Sequence, residues 1–294
     1  MTARRDCGDG VSEDGGFTGF LRSLLAGIPW SESAESKEEL LFAAPARGVL
    51  RLHNANGNTR VCGEDRSDIA LVLTKSARAE SEAAAEQLLD EIQIVDEENG
   101  DALELEVEIP RRWNRRGSAS IELRLPRELQ VELTAVNGRI EIEGLRNRVR
   151  ARSSNGSACV ADVMGDIEIV TSNAKVCCSG TCGRLVARSS NGKIEIASHR
   201  GSVDASTSNG LIKAALDFVG KQGVQLATSN GRITLELPDA IDADVDIRID
   251  NGIIRNDRKL QRTDRETNGR LSGRLGCGGA LIKLRGSNGS ISLR

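Results

Sequence analysis

The chain has 294 residues, enough for one or two domains, and 40 Lys and Arg nearly balance 43 Asp and Glu, leaving a formal charge of −3. That balance argues against a dedicated nucleic-acid or anionic-membrane binder. Six large aromatics and no Tyr predict a thin, aliphatic core, and 31 Gly against 5 Pro predict many tight turns rather than disorder.

Residues 1–46 are polar, Gly-containing and acidic, and read as poorly ordered with a short helix over 17–26. The apolar run 17–28 contains Arg22 and follows an acidic stretch, so it does not read as a signal peptide. No segment is apolar enough to span a bilayer, and the default expectation is a cytoplasmic protein.

Residues 47–130 read as a first coil and a capping region. "VLRLHNANGNTRV" at 49–61 places Leu50 and Leu52 before Asn56, and Val61 after it. "DIALVLT" reads as a strand, and "SARAESEAAAEQLLDEI" predicts a helix near 76–90 from its strong helix formers. "ALELEVEI" and "SASIELRL" alternate strictly, with Pro110 and Pro126 as punctuation, and read as strands. This part is expected to cap the N-terminal end of a stack, where unpaired strand edges need cover.

Residues 131–294 repeat. "AVNGRIEI", "SSNGSACV", "TSNAKVCC", "SSNGKIEI", "TSNGLIKA" and "TSNGRITL" share one pattern. Its Asn falls at Asn137, Asn155, Asn173, Asn191, Asn209, Asn230 and Asn251, and then at Asn268 and Asn288. The interval is about 20 residues, and a fixed period of that size marks a solenoid. Aliphatic residues stand three and five places after the Asn, as in Ile140 and Ile142, and six and four before it, as in Val149 and Ala151. Such alternation describes two strands per step, each with one buried face.

A stack of hairpins would tolerate bends of different length. Four successive equal steps, from Asn137 to Asn209, with matched side chains favour parallel, in-register stacking at about 4.8 Å. A left-handed helix of three hexapeptides per coil has the same period, but its register would read Val149, Asn155, Ala161, Ile167, Asn173. The expected fold is therefore all-β: a parallel β-solenoid of about 18–21 residues per coil, with two facing sheets and narrow ends.

Turn chemistry explains the repeated corner. Asn tolerates and Gly favours the left-handed region, and stacked Asn side chains can form an internal ladder. Ser153, Thr171, Ser189, Thr207 and Thr228, two places before the Asn, suit a second ladder. The segment 255–267 breaks the pattern and reads as a charged loop or degenerate coil. The chain ends on "SNGSISLR", read as a strand with nothing after it.

These features resemble the bacterial family of putative adhesins grouped as domain-of-unknown-function family 4097. The resemblance rests on "VLRLHNANGNTRVCGEDRSDIALVLTKSARAESEAAAEQLLDEI", on "SIELRLPRELQVELTAVNGRIEIEGL" and on the following "SSNG" coils, and covers roughly 48–294. It implies a β-strand-repeat fold, often exported or membrane-attached, with no established activity and no catalytic residues to carry over.

Seven Cys, an odd number at irregular spacing, do not form a secreted disulfide framework. Cys159 and Cys177 occupy one outward position in adjacent coils, with sulfurs expected about 5 Å apart, and are a candidate redox pair. "CCSGTC" lacks the paired spacing of a thiolate metal site, and His199 is the sole nearby imidazole, so no metal or cofactor is expected. The outward acids Glu141, Glu168, Glu195 and Asp204 are scattered among basic neighbours and read as a solvated face rather than a glycosidase pair. The expected function is a non-enzymatic, adhesin-like scaffold that binds an unknown protein or polysaccharide surface and no nucleic acid. The alternatives are end-to-end self-assembly through the terminal strand and a carbohydrate-active β-helix enzyme.

Overall fold

The computed structural model of the chain describes residues 32–45, 48–110, 116–266 and 269–294, with the backbone alone at 262–266. The helix expected over 17–26 and Asn268 lie outside the described residues. One helix and nineteen strands follow in order: β1 (Glu32–Ala43), β2 (Val49–Asn56), β3 (Thr59–Glu64), β4 (Asp68–Ala79), α1 (Glu82–Glu91), β5 (Gln93–Asn99), β6 (Ala102–Glu108), β7 (Arg116–Pro126), β8 (Gln130–Asn137), β9 (Ile140–Glu143), β10 (Val149–Ser153), β11 (Ala158–Ala161), β12 (Ile167–Thr171), β13 (Val176–Ser179), β14 (Cys182–Ser189), β15 (Ile194–Glu236), β16 (Ala243–Asn256), β17 (Gln261–Glu266), β18 (Arg270–Leu275) and β19 (Ala280–Leu293). They join into one large, mostly parallel sheet.

In the middle of the molecule each strand pairs with the strand two elements away. β8, β10, β12 and β14 form one row and β9, β11 and β13 another, all parallel. Partners stand one sequence period apart, as in Val131, Val149 and Ile167 or Ile140, Ala158 and Val176. Both rows turn their aliphatic positions inward onto one continuous core. Ile140, Val149, Ala158, Ile169, Val176, Leu185 and Ile194 are all fully buried there. The alternation seen in the sequence is thus the inside and outside of two strand rows.

Both ends depart from that order. The strands β2 and β3, expected as a first coil, lie between the capping strands and the stack. β2 pairs in parallel with β6 on one side and β8 on the other, and β3 likewise with β7 and β9. Antiparallel strands then close this end: β4 on β7, β1 on β4, and β5 on β6. Residues 32–43, expected to be poorly ordered, are therefore the strand β1, whose Leu40 and Phe42 pack against the core.

The helix α1 begins six residues later than 76. Ser76–Ala79 instead extend β4, because pairing with β1 and β7 overrides helix propensity there. Ser81 caps α1 by accepting a hydrogen bond from the Ala84 amide at 3.2 Å. Ala84, Ala85, Leu88 and Leu89 then bury against Ala77 and Ala79 of β4.

The far end carries the larger correction. The last strand, β19, is not an open edge. Its residues 282–293 pair in parallel with 224–235 of β15, and its other edge pairs in parallel with β16. The segment expected as a charged loop or degenerate coil is a loop only at 257–260; 261–266 form β17, which pairs with β18, and β18 with β16, both antiparallel, and residue 267 lies outside the described residues. The terminal strand on which the expected end-to-end self-association rested is hydrogen-bonded on both edges within the chain.

Candidate functional site

The Asn corner is built from the backbone outward. Each winding's Asn amide donates to a carbonyl of the winding before, as from Asn155 to Val136 at 2.9 Å and from Asn191 to Ser172 at 2.8 Å. The side chains then align. Asn155 Nδ2 donates to Asn137 Oδ1 at 3.1 Å, Asn173 to Asn155 at 3.1 Å, Asn191 to Asn173 at 3.0 Å, Asn209 to Asn191 at 2.9 Å and Asn230 to Asn209 at 2.9 Å. The ladder next passes to Asn288, which donates to Asn230 at 2.9 Å, and only then to Asn251, which donates to Asn288 at 3.2 Å. Asn251 is thus the last rung among the described residues but not the neighbour of Asn230, because β19 separates them. Asn56 is in backbone register with Asn137, yet its amide donates to the Gly117 carbonyl at 2.8 Å instead.

The inner Ser and Thr positions bridge windings by a different route from the expected hydroxyl ladder. Thr207 Oγ1 donates to the Gly192 carbonyl at 3.2 Å and Ser189 Oγ to the Ala174 carbonyl at 3.3 Å. The backbone reason for Gly at this corner is the expected one in some windings only: Gly138 (φ 140), Gly252 (φ 156) and Gly289 (φ 134) take a positive φ. No ladder Asn has a positive φ. Gly156 is required by close approach: a Cβ there would stand 1.6 Å from the Gly138 carbonyl oxygen. A second positive-φ position lies at the opposite corner, at Gly144 (φ 75), Asp162 (φ 52), Gly180 (φ 61) and Ser198 (φ 51), one period apart.

Outward side chains of the same rows form charged strips. Glu104, Arg51, Glu132, Arg150 and Glu168 are register neighbours on β6, β2, β8, β10 and β12. Arg51 bridges Glu104 and Glu132, and Arg150 bridges Glu132 at 3.1 Å and Glu168 at 3.3 Å. Partial burial pushes the Glu132 carboxyl up, but hydrogen bonds from Arg51 and Arg150 outweigh it and hold the group below its ordinary value.

On the opposite row the partners run Glu141, Cys159, Cys177 and Glu195. Cys159 and Cys177 are half-buried, and their sulfurs lie 2.8 Å apart, closer than strand spacing alone suggests. Lys175 pairs with Glu195, which Lys193 also contacts. The Cys159 thiol donating to Cys177 draws the Cys177 thiol down to about 7, with Lys175 acting in the same sense against burial and Glu195. The same hydrogen bond pushes Cys159 up. Cys178 points into the core, and burial pushes it up to about 12.

An open groove of about 690 Å³ is lined by Lys37, Arg60, Glu122, Arg139 and Glu141 among others. Its two carboxylates flank Arg60 in register and are ion-paired, Glu122 to Arg124 at 3.8 Å and Glu141 to Arg139 at 3.2 Å. Among the described residues no group of three or more His, Cys, Asp or Glu is arranged to hold a metal ion. No helix among them is long and apolar enough to cross a membrane.

A family model described as Toastrack DUF4097 matches residues 49–294. No curated protein matches the chain. Among solved structures, a "putative adhesin" from Bacteroides fragilis is similar at 12% identity over 91% of this chain and 100% of its own, with a TM-score of 0.48. A "putative cell adhesion protein" from Clostridium sporogenes has 12% identity, covering 89% and 99% of the two chains with a TM-score of 0.27. A "putative lipid binding protein" from Parabacteroides distasonis has 14% identity, covering 88% and 96% with a TM-score of 0.40.

Proposed function

We propose, from the premise that this chain belongs to the Toastrack DUF4097 family, that it is a non-enzymatic, adhesin-like binding scaffold. In this reading the sheet winds as a β-solenoid of about 18–21 residues per coil, and its ligand is a repeating polymer such as a surface polysaccharide. One observation carries the reading: outward side chains recur in register from winding to winding, as in the eight-rung Asn ladder from Asn137 to Asn251 and the charged strip from Glu104 to Glu168. Strand spacing repeats such groups about every 4.8 Å, so a polymer meets many equal weak contacts rather than one deep pocket. Repeated contacts give avidity that grows with ligand length.

The test is binding of the purified chain to one polysaccharide at graded chain lengths, with the sugar products analysed in parallel. Affinity that rises steeply with polymer length, with the polymer recovered intact, is the expected result. Equal affinity for a short oligomer and the full polymer contradicts the reading, and cleavage of the polymer replaces it with the enzymatic alternative.

A further inference from the structure

The Cys159–Cys177 pair has no part in the scaffold reading. The two thiols sit at matched positions of neighbouring parallel strands, β11 and β13, with sulfurs 2.8 Å apart. Adjacent in-register positions also lie within the Cα separation that a disulfide spans. Backbone hydrogen bonds hold those strands in place on both sides, from Ala158 N to Lys175 O at 3.0 Å and from Val176 N to Lys193 O at 2.9 Å. Both side chains are half-buried on the outer face, whereas the neighbouring Cys178 is 2% exposed and faces the core.

We propose that Cys159 and Cys177 form a redox-active dithiol that exchanges with a small-molecule disulfide of the glutathione type, with Cys177 as the attacking sulfur and Cys159 as the resolving one.

The two sulfurs are chemically unlike, and their surroundings assign the roles. Cys177 accepts the Cys159 S–H and has the Lys175 ammonium beside it; both favour the thiolate, and its pKa is drawn down to about 7. Cys159 keeps its proton because the same hydrogen bond and burial favour the thiol. The more readily ionised thiol of the pair is the better attacking group in exchange.

In the first step the Cys177 thiolate attacks one sulfur of the disulfide. The S–S bond of the reagent breaks, and one glutathione thiolate leaves with the bonding pair and takes a proton from water. In the second step Cys159 gives its proton to solvent and its sulfur attacks Cys177 Sγ in the mixed disulfide. The second glutathione leaves as thiolate and is protonated. The protein loses two electrons and two hydrogens, and the reagent gains both as two thiols. The new bond ties the winding that contains β11 to the one that contains β13.

The test is incubation of the reduced full-length chain with glutathione disulfide, an acid quench, alkylation and peptide mass spectrometry. Fragmentation must separate Cys177 from Cys178 and Cys182, which share its peptide. The expected product of the unaltered chain is a Cys159–Cys177 disulfide without retained glutathione. C159S should retain one glutathione on Cys177, and C177S should acquire its adduct on Cys159 roughly tenfold more slowly. Glutathione retained on both cysteines of the unaltered chain, or a disulfide between another pair formed first, overturns the proposal without reliance on either variant. Equal adduct rates in C159S and C177S, with both variants folded by circular dichroism, overturn the assignment of roles.

Discussion

The middle windings and the two ends solve one problem in different ways. From β10 to β14, each strand meets the chain one period before and one period after, so sequence order is spatial order. At the ends a strand arrives from elsewhere and is inserted: β2 and β3 under β6 and β7, and β19 between β15 and β16. Antiparallel strands then cover much of what is left: β4, β1 and β5 at one end, β18 and β17 at the other. An open parallel stack exposes unpaired N–H and C=O groups that invite other chains. Insertion also ties each end to the stack through strands distant in sequence, so neither end can peel away as its last winding alone.

The sharpest break in this comparison is steric. Gly156 in the middle has no room for a Cβ, whereas Gly100, in the β5–β6 turn, has nothing within 4 Å. Gly156→Val should destabilise the fold by about 3 kcal/mol or more in urea titrations, and Gly100→Ala by only about 1 kcal/mol, the strain of its positive φ. Comparable losses from the two would remove the distinction between close-packed winding and open turn.

Leu284 of β19 tests the inserted end next. It is fully buried, in register with Leu226 and Ile247. Leu284→Ala should cost about 3 kcal/mol, as much as Ile194→Ala in the middle. A loss near zero would mean that β19 is not part of the core.

His199 sets a smaller, pH-dependent difference. It is buried, with Nδ1 2.9 Å from Thr181 Oγ1, and burial pushes its pKa below the ordinary value, against backbone hydrogen bonds and Asp217. The folded state therefore binds the proton less readily than the unfolded chain. Its contribution is fully present above an unfolded pKa of about 6.5 and is lost as pH falls from there towards the lowered folded value, by at most about 1.4 kcal/mol per pH unit. Urea titrations at pH 7.5 and 5.5 should show a larger loss for the unaltered chain than for His199→Gln. Equal losses would mean that this imidazole stays out of the linkage.

The smallest expected effect is at the ladder. Asn191→Ala removes one donated and one accepted side-chain hydrogen bond, both exposed. It should cost about 1 kcal/mol in the same titration. A loss as large as that of Gly156→Val would make the ladder, rather than the core, the main support of the corner.

The legible parts of the fold were those where the chain is its own neighbour. The even spacing of Asn137 to Asn209 gave both the parallel register and the rungs, and it placed Cys159 beside Cys177. Insertion left no such trace. "SNG" at 287–289 marked a rung, but nothing local to it says that Asn288 lies between Asn230 and Asn251. The glycine reading held only in part: Gly138, Gly252 and Gly289 have a positive φ, whereas Gly156 is needed for close approach. A residue needed for close approach and one needed for positive φ are both written Gly, and the opposite positive-φ corner is written Gly144, Asp162, Gly180, Ser198, with no single letter to follow. Ser76–Ala79 looked helical because propensity is local, whereas their pairing partners lie about 40 residues away on each side.

The most direct test of the winding order is disulfide trapping at the inserted strand, in a background with the native cysteines replaced by serine. Cysteines placed at 230 and 288 occupy adjacent in-register strands and should cross-link rapidly, as should a pair at 288 and 251. Cysteines at 230 and 251 are separated by β19, two strand spacings or about 9.6 Å apart, and should not. Rapid cross-linking of 230 with 251, and none of 230 with 288, would contradict the account.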